Sequence, residues 1–317
     1  MKIDDGTILV SVVVCTYDRP LLLDRAVQSL VTQSLDASRY EVIVVDNGSP
    51  AGTQAVVRRL QVENPTVRLV FIEEPRQGLS YARNAGTRRA GGEYVAFLDD
   101  DALAPPEWLR TMVDTIEAYR ARPTAVGGPV LPLYEVQKPV WFRDAYETRT
   151  YGEVERHLRP GETFSGSNMA VERCVLERSG GFAVHLGMRG THLSVGEETD
   201  LQLRIQADSE HTPAFLYSPA IWVRHSVPAR KMTVSYQLSR TIVAGHVAAT
   251  DASHSVFAVA RALASVLVEV ARVAADLTLR RSRYGSLENW AVEALRPLAG
   301  KIGWLAGCLR MPLTLRR

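Results

Sequence analysis

The sequence predicts an α/β protein: a mixed, mostly parallel sheet with helices on both faces, followed by a helical C-terminal extension. Three observations carry this. Continuous β-branched runs alternate with segments of helical apolar spacing through the first third of the chain. Those runs end in polar and acidic residues. Beyond residue 230 they give way to long segments of helical period only. The chain has 317 residues with 37 basic and 35 acidic side chains, a balance too near neutral for a nucleic-acid binder that works through a global positive field. Cys15, Cys174 and Cys308 are odd in number, widely spaced and without a CxxC, which argues against a disulfide framework or a zinc site and for a reducing compartment. The N-terminal "MKIDDGTILVSVVV" has acids where a secretory signal needs bases, and no apolar run is long enough to cross a bilayer. A cytoplasmic location is expected.

Taken in order, "ILVSVVVCTY" (8–17) is an apolar run of the kind found in a strand covered on both faces. "RPLLLDRAVQSLVTQ" (19–33) has helical spacing after a proline start. "YEVIVVDNGSP" (40–50) is a second strand closed by a turn, and "AGTQAVVRRLQVEN" (51–64) its helix. "VRLVFIEEP" (67–75) is a third strand, "GLSYARNAGTRRAG" (78–91) a third helix, and "EYVAFLDDD" (93–101) a fourth strand. Strand-helix alternation implies parallel pairing, and ligands of such sheets bind at the carboxyl ends of strands.

Those ends are acidic. The first finishes at Cys15-Thr16-Tyr17-Asp18, the second at Asp46-Asn47-Gly48-Ser49, the fourth at Asp99-Asp100-Asp101. Three adjacent carboxylates raise one another's pKa, so a positive partner is required. A solvated turn before Pro105-Pro106 would explain an isolated triplet, but not one that closes a buried strand. Neither G-x-G-x-x-G nor a P-loop follows the first strand, and EF-hand spacing fails at Leu103 and Ala104. Acid binds a phosphorylated ligand only through a cation, so the triplet reads as a metal-diphosphate clamp.

The stretches "SVVVCTYDRP", "VIVVDNGSP", "GLSYARNAG", "GGEYVAFLDDDALAPPEWL", "GSNMAVERCVLERSGGF" and "GEETDLQLRI" resemble, in order and spacing, the family 2 glycosyltransferases of the Rossmann-like GT-A fold, over about residues 8–230. The resemblance implies an inverting sugar transfer from a nucleotide-diphosphate donor to a glycan, lipid-linked or small-molecule acceptor, assisted by Mn²⁺ or Mg²⁺. It divides the chain into a GT-A domain, 1–230, with a donor half (8–110) and an acceptor half (111–230), and an extension, 231–317. It places the donor nucleoside against Thr16, Tyr17 and Asp46; Asp46 is equally a turn former. Arg83 and Asn84 match the stretch beside the ribose and diphosphate. Asp101 matches the direct metal ligand, with Asp99 or Asp100 holding ribose or metal-bound water, and His225, in "IWVRHSVP", matches a position that completes the metal shell, although a lone histidine is commonly structural. Gly166 and Asn168 match the acceptor-side loop near the transferred sugar. Glu198, with Glu197 second, matches the catalytic base; the family usually has Glu-Asp there, and acids in a first helical turn also answer the helix dipole.

On this reading an acceptor hydroxyl attacks while a carboxylate takes its proton, in one displacement without a covalent enzyme intermediate. Two other classes fit parts of the pattern: a sugar-nucleotide nucleotidyltransferase, which would carry a glycine-rich basic loop where "CTYDRP" stands, and a non-catalytic binding module, which an apolar residue at 101 or 198 would favour. In "SVFAVARALASVLVEVARVAADLTL" (255–279) the charges Arg261, Glu269, Arg272 and Asp276 fall within about 80° of arc; the remaining apolar surface either packs as a mostly buried helix, the default, or meets a partner or a bilayer surface. The segment after Glu293 carries Arg296, Lys301, Arg310, Arg316 and Arg317 without an acid, interleaved with Trp304 and leucines, a pattern suited to an anionic membrane interface; the alternative is that it folds back onto the domain or forms a dimer contact.

Overall fold

The computed structural model describes residues 8–50, 52–189, 195–208, 214–250, 256–279, 283–309 and 311. Strand β1 (Val10–Thr16) leads through helix α1 (Pro20–Val31) to β2 (Tyr40–Asp46), then α2 (Thr53–Glu63), β3 (Arg68–Glu73), α3 (Leu79–Arg89) and β4 (Tyr94–Asp99). β1 pairs in parallel with both β2 and β4, and β2 with β3. The β-branched runs explain the layering, because side chains alternate across a strand. Val12, Val14, Val42, Val44, Ala96 and Leu98 enter one core with Leu23, Val27 and Leu30 of α1 and Val57 and Leu60 of α2. Val13, Ile43, Val45, Val95 and Phe97 enter the other, with Ala82 and Ala85 of α3. The sheet is thus apolar on both sides, as parallel strands joined by helices require.

After β4 come β5 (Ala102–Leu103), α4 (Trp108–Glu117), β6 (Ala125–Gly127), β7 (Val130–Tyr134), β8 (Arg156–His157), β9 (Met169–Glu172), α5 (Arg173–Arg178), α6 (Glu197–Gln206), β10 (Phe215–Tyr217) and β11 (Val223–Val227). The main sheet runs β3-β2-β1-β4-β9-β6-β10-β8, and β9 is antiparallel to both β4 and β6, which makes it mixed. A small second sheet runs β5-β11-β7. The three cysteines are free thiols.

Two compact units result: Met1–Leu133 with Glu147–His185 and Glu197–Ser226, and Tyr134–Tyr146 with Leu186–Gly196 and Val227–Arg317. The second takes in two segments from earlier in the chain in addition to the residues after 226. Its helices are α7 (Val234–Thr250), α8 (Val256–Leu279) and α9 (Leu287–Cys308). α9 starts at a Ser286 cap, whose hydroxyl accepts from the Asn289 N–H, and lies close on α7: a Cβ on Gly303 would stand 2.0 Å from the Ile242 carbonyl oxygen. Phe142, Tyr146, Val227, Met232 and Val292 form this unit's small core.

The extension bears on two expectations, and the second is corrected. Within α9 the bases fold back onto the protein: Arg296 donates to Gln237 and lies over the Tyr146 ring, and Lys301 pairs with Glu269 at 3.0 Å. Close packing of α9 against α7 and these pairings engage Arg296 and Lys301 within the unit. Arg310, Arg316 and Arg317 lie outside the described residues. α8 is the reverse of its expectation: its apolar side is exposed, because its charged side is the one that meets α9.

Candidate active site

The register of the sheet sets Thr16 beside Asp46 and Cys15 beside Asp99, so three strand ends reach one level. Asp99 is the last residue of β4, and the chain then turns through Asp100 and Asp101 into β5. β11 pairs antiparallel with β5, with His225 opposite Ala102, and the Ser226 N–H donates to the Asp101 carbonyl at 2.8 Å. This pairing carries His225 to the aspartates across more than a hundred residues of chain. His225 Nε2 stands 3.1 Å from Asp101 and 3.6 Å from Asp99. One ligand atom from each of Asp99, Asp101 and His225 lies within 4.8 Å of the other two. A half-exposed two-carboxylate, one-imidazole set of this size fits a hard divalent ion that keeps room for water and phosphate oxygens.

Charge at the triplet is offset from three directions. Arg19, at the N-cap of α1, reaches Asp100 at 3.1 Å and Asp101 at 3.5 Å, and the Thr16 hydroxyl donates to Asp100 at 2.8 Å. Asp18 just before it has a φ of 53°, strained backbone of the kind that clusters at functional sites. Burial and the neighbouring Asp101 push Asp100 up to about 7, against Arg19 and Thr16. Burial also acts to raise Asp99, but the His225 hydrogen bond and Arg83 outweigh it and hold Asp99 below the usual carboxylate range.

Arg83, on α3, joins this cluster to the first turn of α6. Its guanidinium, 3% exposed, reaches Glu197 at 2.7 Å, Asp99 at 3.2 Å and the Gly166 carbonyl at 3.4 Å. Burial works against its charge, yet Glu197, Asp99 and Glu198 outweigh burial and lift its pKa above that of an ordinary arginine. A Cβ on Gly166 would lie 2.7 Å from Nη2 of Arg83, so the residue's smallness admits this guanidinium. Burial, with Glu198 adding, pushes Glu197 up to about 8 despite Arg83. Burial thus works against the Glu197 charge, and the Arg83 guanidinium at 2.7 Å works for it. Oε2 of Glu198 is closed to water and has no hydrogen-bond partner among the described residues. Glu198 lines a cavity of about 390 Å³ with Tyr151, Phe164, Ser165, Arg149 and Tyr217. Glu198 thus borders this space while one of its carboxylate oxygens is buried without a partner.

The remaining predicted residues have other partners. Asp46 accepts from the Ser49 N–H at 3.0 Å and from its hydroxyl, the turn-forming role. Tyr17 is half-buried just past β1. Asn84 exchanges two 2.8 Å hydrogen bonds with the Phe182 backbone, which ties α3 to the 180–182 turn. Asn168 is fully buried: it accepts from Trp108 Nε1 and donates to the Pro129 and Ile221 carbonyls. Its side chain thereby holds the 165–168 loop in place. Sequence reasoning missed Arg19, whose signal was the "DRP" after strand one, and Gln202, which both accepts from and donates to the Phe164 backbone and has no local signal.

The mixed sheet with an acidic cluster at its strand ends is an arrangement of the GT-A fold class. Residues 11–168 match the profile of glycosyl transferase family 2. The chain belongs to that family, which removes the nucleotidyltransferase alternative. It is 32% identical over 206 residues to the glucosyl-dolichyl phosphate glucuronosyltransferase of Haloferax volcanii, covering 62% of this chain and 63% of the relative, a little under two thirds of that protein's length. To the succinoglycan biosynthesis protein ExoM of Rhizobium meliloti it is 29% identical over 241 residues, covering 75% and 74%. A similar fold is seen in the mannosyltransferase PcManGT from Pyrobaculum calidifontis in complex with GDP-Man and Mn²⁺, with a TM-score of 0.56, 20% identity and coverage of 93% of this chain and 88% of that one.

Proposed function

We propose that this protein is an inverting, divalent-cation-dependent glycosyltransferase that moves a sugar from a nucleoside diphosphate to a lipid-linked or polymeric glycan acceptor at the cytoplasmic face of a membrane. The observation that carries the chemistry is the convergence of Asp99, Asp101 and His225 at the carboxyl ends of the sheet. Asp101 and His225, with Asp99, hold the ion, and Mn²⁺ or Mg²⁺ bound there supplies positive charge for the departing diphosphate. Thr16, Tyr17 and Asp46 sit at the neighbouring strand ends, where the nucleoside binds, with Asp100 beside them. Glu198 takes the proton of the attacking hydroxyl, and Glu197, tied to Arg83, fixes the start of α6. Gly166 leaves room for Arg83 under the sugar-side loop. The membrane reading is supported by the dolichyl phosphate substrate named for the archaeal relative. No described helix is long and apolar enough to cross a membrane, so the contact envisaged is peripheral.

The test is calorimetric titration of UDP and GDP with and without Mn²⁺ on the wild type and on Asp101→Ala. Binding that needs Mn²⁺ and disappears in the variant is the expected result. Binding indifferent to both the ion and the substitution overturns the clamp.

A further inference from the structure

Helix α8 has its polarity turned inside out. Its acids point inward: Glu269 accepts from Arg272 at 2.6 Å and from Lys301 at 3.0 Å, and Asp276, 4% exposed, accepts from Arg272 at 3.1 Å and from the Tyr284 hydroxyl at 3.3 Å. Arg272 also donates to the Ala294 carbonyl of α9. The outward side carries Phe257, Leu263, Leu267, Val268, Val270 and Leu277, each between 41% and 78% exposed, separated by alanines. Arg261 is the one charge among the exposed residues of α8. A helix on a water-soluble surface arranges these residues the other way round. Over 24 residues, about 36 Å at 1.5 Å per residue, this is a continuous apolar strip.

We infer that the outward face of α8 is a docking surface for an anionic lipid bilayer, lying in the interface and not crossing it. Charge decides the occupant. No acid is exposed along α8, Arg261 stands at one end of the strip, and exposed Arg283 follows the other. Read as sequence alone, the chain leaving α8 adds Arg280 and Arg281 and no acid before Glu288. A second copy of this face would bring apolar surface but no carboxylate for these arginines. Phospholipid headgroups bring both. The inference rests on the membrane reading above and assigns the contact to α8 in place of the basic segment after Glu293, whose described bases are engaged within the protein.

The full chain should co-sediment with vesicles of phosphatidylglycerol and phosphatidylcholine in equal parts, more weakly with phosphatidylcholine alone, and less as ionic strength rises. Leu267→Glu with Val268→Glu places two carboxylates at the middle of the strip, on side chains about 70% exposed, so the fold should be unaffected. At about fivefold per charge near an anionic surface, partitioning should fall about 25-fold or more, while the melting temperature and Mn²⁺-dependent nucleotide binding stay as in the wild type. Arg261→Gln should lower partitioning about fivefold and flatten its salt dependence. Undiminished vesicle binding by the double variant overturns the assignment. So does a wild-type chain that ignores anionic vesicles, or one that is dimeric in solution and becomes monomeric in the double variant, which would make the strip a self-interface. A wild-type chain that binds anionic vesicles but shows no Mn²⁺-dependent nucleotide binding would instead count against the donor clamp proposed above and leave the surface standing.

Discussion

Glu198→Gln separates the chemical step from the fold. The substitution keeps shape and removes the base, so transfer should fall by about 10²- to 10⁴-fold, while donor affinity, set at the strand-end clamp, stays unchanged. Stability should move the other way. Burial and the adjacent Glu198 hold Glu197 up at about 8, whereas an unfolded glutamate titrates near ~4.3. An acid raised in the folded state contributes stability fully below its unfolded pKa and loses it as pH climbs to the folded one, so the contribution of Glu197 should decline steadily from about pH 4 to pH 8. Removing the Glu198 charge lowers the Glu197 pKa. Each unit of that fall returns about 1 kcal/mol at pH 8 and nothing at pH 4. Single-turnover transfer, donor calorimetry and urea denaturation at pH 4, 6 and 8 measure the three quantities. Retained transfer refutes Glu198 as the base. If Glu197→Gln is the crippled enzyme instead, the register is off by one residue. A variant less stable than wild type at pH 8 refutes the electrostatic account of the pair.

Arg83→Met should destabilise by about 3–5 kcal/mol, because it strips the buried partner from Glu197 and Asp99 together; urea denaturation reads it, and a loss under about 1 kcal/mol would mean the pairs contribute little. Gly166→Ala forces its Cβ against the Arg83 guanidinium and should reduce transfer while leaving secondary structure intact by circular dichroism; full activity would show that Arg83 moves freely. His225→Gln should weaken Mn²⁺ binding in the absence of nucleotide about tenfold or more, read by calorimetry, and an unchanged affinity would leave the ion to Asp99 and Asp101 alone.

The β-branched runs determined the parallel core of the sheet by themselves, because a strand covered on both faces must be apolar at every position, and Val12 and Val13 serve opposite cores for that reason. The acids at the strand ends were legible for the same reason: nothing polar belongs at the end of such a run unless a ligand or counter-charge meets it. Sequence could not say which counter-charges these are. Arg19, Arg83 and His225 come from three elements, and only the β5–β11 pairing and the approach of α3 to α6 bring them to the aspartates. Nor could sequence show what holds Asn168, whose side-chain partners Trp108, Pro129 and Ile221 come from distant segments. The C-terminal helices show the limit most plainly. Periodicity gave α8 a polar and an apolar side, but which side faces inward depends on what the neighbour offers, and Lys301 and the Ala294 carbonyl of α9 drew in Glu269 and Arg272 and left the leucines outside.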